Sequence, residues 1–232
     1  MNEQQRAILE GLNALYPDAG PELHFSNPYE TLVATILAAQ CTDARVNQVT
    51  PAVFRDFPDP QAMAQTTPEI LFPYVKSCGF KSKAANIVNA CKMIVEKYGG
   101  EVPSTLEELT QLPGVGRKTA NVVLAFSFGV PALPVDTHVF RVANRLGLAD
   151  ALTVEETERQ LTELIPRDQW SQAHHWMIYH GRRVCHSQKP DCESCTLRPF
   201  CKAAHAEQMI NPKAEAKKRA QARKAQAREI TG

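Results

Sequence analysis

Three observations predict an all-α fold. Apolar residues recur at helical spacing along nearly the whole chain. Capping residues stand at the starts of those runs, and strand-like alternation bounded by hairpin turns is absent. With 232 residues and 44% hydrophobic side chains, the chain has enough apolar material for one large domain or two small ones.

The elements follow in order. Ile8, Leu9, Leu12 and Leu15 line one face of a first helix. Asn27-Pro28-Tyr29-Glu30 sets a cap, a proline in the first turn and a glutamate at the third helical position, opening a helix with Leu32, Val33, Ile36 and Leu37. Ser104-Thr105-Leu106-Glu107 and Thr153-Val154-Glu155-Glu156 have capping-box spacing. Pro58, Pro60, Pro73, Pro103, Pro131 and Pro134 punctuate loops, and Phe128 to Asp136 is the best candidate for a change of domain. About ten short helices and no sheet are expected. Cys41, Cys78 and Cys91 are scattered on helical patterns and read as core residues, as do Trp170 and Trp176.

The segment LPGVGRKTANVVLAF, Leu112 to Phe126, carries the strongest signal in the middle of the chain. Gly114 and Gly116 permit a tight turn into a helix, whose first N–H groups make an anion site. On the helical wheel Val122, Phe126, Thr119 and Val123 form a stripe, Lys118 borders it, and Arg117 falls on the solvent side with Asn121. Lys118 is therefore either a snorkelling lysine or a reactive amine. Partial burial and a positive helix terminus would both disfavour its charged form. The stretch Cys78 to Val88 echoes Pro113 to Val123, with Lys83 in the place of Lys118. The echo has Lys81 where the hairpin has Gly116, so its turn suits backbone contact with a phosphate less well. Asp136 precedes the next helical run and reads as its cap, and a capped carboxylate is also fixed in orientation for proton transfer.

Near the C-terminal end Cys185, Cys192, Cys195 and Cys201 have C-x6-C-x2-C-x5-C spacing. Four thiolates so close together suit a tetrahedral zinc site or one [4Fe–4S] cluster, and the chemistry alone does not choose. Arg182, Arg183, Lys189, Arg198 and Lys202 surround them, and the Cys185–Cys192 loop is suited to presenting charge to DNA. His174, His175, His180 and His205 lack ligand spacing and read as surface or packing residues, while His138 stands two residues from Asp136.

An odd number of cysteines, seven, without a secretory leader argues against a disulfide framework and for a reducing compartment. No apolar run is long enough to span a bilayer. The net charge of +1 is unevenly placed: Lys213 to Gly232 holds seven basic and two acidic residues. This tail is either a solvated terminus or a non-specific phosphate-binding arm.

Taken together, LPGVGRKTANVV, VDTH and the cysteine ending resemble bacterial endonuclease III, of the helix-hairpin-helix superfamily of DNA glycosylases and AP lyases. The resemblance covers roughly residues 1–205. It implies a two-domain all-α fold with a DNA-binding cleft between a helical barrel domain and a [4Fe–4S] cluster domain. The barrel would span residues 22–130 with the hairpin motif at about 106–126, the cluster domain 1–21 and 131–211, and the basic tail 212–232. It implies removal of oxidised pyrimidines from duplex DNA, followed by β-elimination 3′ of the site. Lys118 would be the nucleophile and Asp136 the assisting carboxylate. Gln40, Phe80, Gly114, Val115, Gly116, Arg117 and Lys189 would contact DNA, and the four cysteines would hold the cluster. A monofunctional adenine glycosylase would lack the hairpin lysine. Damaged double-stranded DNA is the implied partner, with a monomer in the bacterial cytoplasm and no membrane. Ala38 stands where many relatives have serine, and Cys41 where a small residue is common.

Overall fold

The computed structural model describes residues 1–205, so the basic tail lies outside the described residues. These contain eleven α-helices, four short 3-10 turns and no strand. The helices are α1 (Glu3–Leu15), α2 (Pro28–Ala38), α3 (Asp43–Asp56), α4 (Pro60–Ala64), α5 (Pro68–Val75), α6 (Lys81–Tyr98), α7 (Leu106–Gln111), α8 (Arg117–Ser127), α9 (Thr137–Leu146), α10 (Val154–Leu164) and α11 (Trp170–Arg183).

The chain divides into two compact units, Pro21–Pro134 and the pair of segments Met1–Gly20 and Val135–Gly232. In the first unit α6 packs against α4 and α5, and α8 packs against α2 and α7. Leu32, Leu37, Met63, Leu71, Ile87, Ile94 and Leu109 are essentially inaccessible in its core. In the second unit α11 packs against α1 and α9. Among the described residues no helix is long and apolar enough to cross a membrane.

Side-chain caps fix several of the helix starts. Asn27 Oδ1 accepts from the Glu30 N–H at 2.9 Å, as the sequence suggests. The box expected at Ser104–Glu107 is shifted by one residue. Thr105 is the cap, and its hydroxyl is 2.7 Å from the Glu108 carboxylate. Two prolines assigned to loops are helical. Pro60 opens α4, where its missing N–H costs no intrahelical bond, and Pro73 lies inside α5, two residues before that helix gives way to the 3-10 turn Lys76–Cys78.

Candidate active site and thiol cluster

The hairpin is built from α7, a five-residue turn and α8. Leu112 leaves α7 in an extended conformation, and the Val115 N–H returns to the Leu112 carbonyl at 3.0 Å. Gly114 has φ +78°, and a Cβ there would stand 2.7 Å from both Cβ and Nδ2 of Asn86. Only glycine meets both demands. Gly116 is different: its φ is −88°, and nothing lies within 4 Å of an added Cβ. It caps α8 without a side-chain bond, at the end where first-turn N–H groups have no intrahelical acceptor. Val115, 6% exposed, packs into the core, so it anchors the turn and offers little surface to a ligand.

Lys118 and Arg117 are both exposed in the first turn of α8. Lys118 therefore stands clear of the packed edge expected for it. Asn121, expected on the solvent side, is 4% exposed, and its Nδ2 has no hydrogen-bond partner. The buried face of α8 is wider than the apolar stripe, because Ala120 to Leu124 are all buried between the packed helices. The echo lysine has a structural task. Lys83 Nζ donates to the Leu37 carbonyl at 2.7 Å and to the Cys78 carbonyl at 2.5 Å.

Asp136 caps α9. Its Oδ1 accepts from the N–H groups of His138 at 2.8 Å and Val139 at 2.9 Å. It lies in the second unit, Lys118 in the first. His138 is half-buried, with Nδ1 3.2 Å from Arg141 Nη2. Burial holds its pKa below the ordinary value against the opposing pull of Asp136.

Gln40 and Lys189 are the two non-glycine residues with left-handed backbones among the described residues, at φ +57° and +48°. Both are exposed. Phe80 precedes α6 and is 74% exposed, so it is not a core residue. Cys78 is in the core as expected, in the 3-10 turn Lys76–Cys78, whereas Cys41 departs from expectation. Cys41 lies in the bend after α2 and is half-buried. Cys91 is in the core, where burial alone pushes its thiol up to about 12.

The four C-terminal cysteines converge after α11. All are half-buried. Burial raises the thiols of Cys195 and Cys201, backbone N–H groups partly offset this, and the neighbouring cysteines add a smaller upward push. Among the described residues no three His, Cys, Asp or Glu side chains already stand in a metal-holding group. The donor set nonetheless suits a soft metal centre: four thiols within 17 residues, each electrostatically coupled to others of the set.

Two residues missed by sequence reasoning organise this region. Arg145, 4% exposed in α9, donates through Nη1 to Cys185 Sγ at 3.5 Å and to the His186 carbonyl at 2.6 Å. Its Nη2 reaches the Ser187 carbonyl at 3.0 Å. His180, 1% exposed, joins Tyr16 Oη at 3.1 Å to Cys195 Sγ at 3.8 Å. His174 and His175 are buried too, so the three are packing residues and not surface ones. No spacing pattern points to Arg145. His180 stands five residues before Cys185, but that spacing alone does not distinguish it from its neighbours.

The family model described as HhH-GPD superfamily base excision DNA repair protein matches residues 33–167. Endonuclease III of Synechocystis is 49% identical over 209 residues, 88% of this chain and 95% of that protein. The Escherichia coli protein of the same name is 43% identical, over 87% of this chain and 96% of its own. This chain belongs to the endonuclease III family. It is a base-excision repair enzyme of that type, a DNA glycosylase and AP lyase. Among solved structures, a trapped endonuclease III–DNA covalent intermediate shares 44% identity and a TM-score of 0.82, covering 95% of this chain and 100% of that one. A non-covalent endonuclease III–DNA complex matches to the same extent. A thermostable thymine-DNA glycosylase, 21% identical with a TM-score of 0.77, shares the fold.

Proposed function

We propose that the chain removes oxidised pyrimidines from duplex DNA and cuts the strand 3′ of the vacated site, with Lys118 as nucleophile. The observation that carries this reading is the exposed Lys118 in the first turn of α8, entered through a glycine hairpin whose helix has no side-chain cap. A relative 44% identical was trapped as a covalent intermediate with DNA, and a covalent step needs a nucleophile. Lys83, the competing amine, is committed to two carbonyls.

The damaged nucleotide is flipped out of the stack. Backbone N–H groups at Gly116 and Arg117, at the start of α8, hold a phosphate. Lys118 attacks C1′ and displaces the base. The resulting Schiff base acidifies the C2′ hydrogens, and β-elimination breaks the 3′ C–O bond. Asp136, oriented by its two backbone bonds, assists by proton transfer or by stabilising the developing sugar cation. Gln40 and Phe80 fill the vacated stack. The strained backbone of the one and the 74% exposure of the other support this, since both are costly for the free protein.

Cys185, Cys192, Cys195 and Cys201 would hold a [4Fe–4S] cluster, which supplies a rigid cross-link for the loop carrying Lys189. The repair substrate and the thiolate ligands both suit the cytoplasm, and the chain is proposed to act as a monomer.

Borohydride trapping tests the proposal. Wild-type protein should give a covalent adduct with DNA bearing an abasic site or thymine glycol, and Lys118→Ala should give none. Binding of such DNA without any trapped adduct would overturn the lyase assignment. Purified protein should absorb near 400 nm and contain about four irons per chain. Colourless, zinc-loaded protein would overturn the cluster.

A further inference from the structure

The second unit carries a cleft that the proposed repair chemistry does not use. It has a volume of about 440 Å³ and lies between α1 and the start of α11. Leu9 and Trp176, 5% and 4% exposed, give it an apolar lining. The exposed side chains of Arg6, Glu10 and Asp168 stand around it. Trp176 Nε1 is buried without a hydrogen-bond partner among the described residues. The other tryptophan shows the ordinary arrangement, since Trp170 Nε1 donates to the Ile165 carbonyl at 2.9 Å. Gln172 lies one turn before Trp176 on the same face of α11 and also lines the cleft. Its Nε2 donates to the Ala19 carbonyl at 2.9 Å, which ties its amide to the end of α1 and not to the indole. A buried donor left unmet is costly, so it marks a place where an acceptor from outside the chain fits.

We propose that this cleft is a binding site for a small neutral amide, a primary carboxamide or a lactam carried on an apolar body. The carbonyl enters between the rim side chains and accepts from Trp176 Nε1. The N–H beside that carbonyl donates to the Asp168 or Glu10 carboxylate. The apolar body lies against Leu9 and the indole ring. A cleft of this volume, apolar with a few polar groups, has the character of a small-molecule site.

The groups around the cleft select that class against three others. Arg6 faces two carboxylates, Glu10 one turn on in α1 and Asp168 before α11, so the rim has no positive excess and an anion gains nothing from it. A cation pairs with the carboxylates but leaves the indole donor unmet. A hydrocarbon covers the apolar lining and leaves both unmet. An amide presents an acceptor and a donor side by side without a charge to desolvate, and so answers the indole and the rim together.

Nuclear magnetic resonance on the isotope-labelled full chain with its cluster tests the site. The two tryptophans give two indole N–H signals, which Trp176→Phe assigns. The probes share one ring: benzamide, benzoate, benzylammonium and toluene. Benzamide should move the Trp176 signal downfield and saturably while the Trp170 signal stays in place. It should bind roughly tenfold more tightly than the other three. Trp176→Phe removes the donor and keeps an aromatic ring, and its affinity for benzamide, read from the backbone signals of α1 and α11, should fall about tenfold. Should that variant fail to fold, the exposed rim keeps the test. The double variant Glu10→Gln and Asp168→Asn should lose the preference for benzamide over benzoate. A Trp176 signal that no probe moves, or equal affinity for benzamide and toluene, overturns the site. Benzoate or benzylammonium binding more tightly than benzamide overturns the amide assignment, as does a preference that survives removal of both rim carboxylates.

Discussion

Gly114 and Gly116 are glycine for different reasons. Gly114 is required by the chain itself, by its positive φ and by Asn86 against its α-carbon. Gly114→Ala should cost about 1–3 kcal/mol of stability, read as a lowered denaturation midpoint. Gly116 has room and an ordinary backbone. Gly116→Ala should leave the midpoint nearly unchanged but weaken DNA binding, because the added methyl stands where a phosphate would approach the backbone. Equal affinity for the two proteins would remove the anion site from the account. His175 gives a pH prediction at the same scale. Burial holds it at about 4, against 6.5 for the ordinary group, with the Arg182 charge adding to the effect. The unfolded chain takes up the proton first as pH falls. Stability is therefore full above about pH 6.5 and declines toward pH 4, by about 3 kcal/mol. His175→Phe should flatten that limb of a stability–pH profile; an unaltered slope would place the titration elsewhere.

At the scale of the element, α9 carries two jobs at its two ends. Asp136 fixes the first turn, and Arg145 in the last turn holds the loop that begins at Cys185. A buried guanidinium lost from three acceptors leaves carbonyls without donors. Arg145→Met should accordingly lower cluster retention, measured as iron per chain and as absorbance near 400 nm, with the helical content of the protein preserved. Full iron occupancy in that variant would show that the loop holds itself. Lys83 is the corresponding tie in the first unit, and it shows the limit of a motif. The sequence offers two lysines in matching frames, at 83 and 118. The turn before Lys83 packs so that its ammonium faces carbonyls, whereas Lys118 is exposed. The choice between them rested on one glycine in the sequence and on hydrogen bonds in the structure.

At the scale of the whole molecule, the remaining question is charge. Residues 213–232 carry a net +5 while the rest of the chain is net −4. Deleting the tail after Asn211 should lower DNA affinity and flatten its salt dependence, by up to ~4 units of log–log slope if the tail meets phosphates throughout. Trapping by Lys118 at saturating DNA should persist. An unchanged salt slope would leave the tail as a solvated terminus.

The sequence by itself determined what is local or covalently ordered. Helical period, caps such as Asn27, the glycine turn and the cysteine spacing are all set by neighbours a few residues apart, and each could be read there. Tertiary structure alone decided which faces are buried and which side chains meet. It buried Asn121, exposed Lys118 and Phe80, and put Arg145 and His180 against cysteines 40 and 15 residues away. A helix has a period but no knowledge of how many neighbours will pack on it, so the width of its buried face and the partners of its polar groups follow from packing.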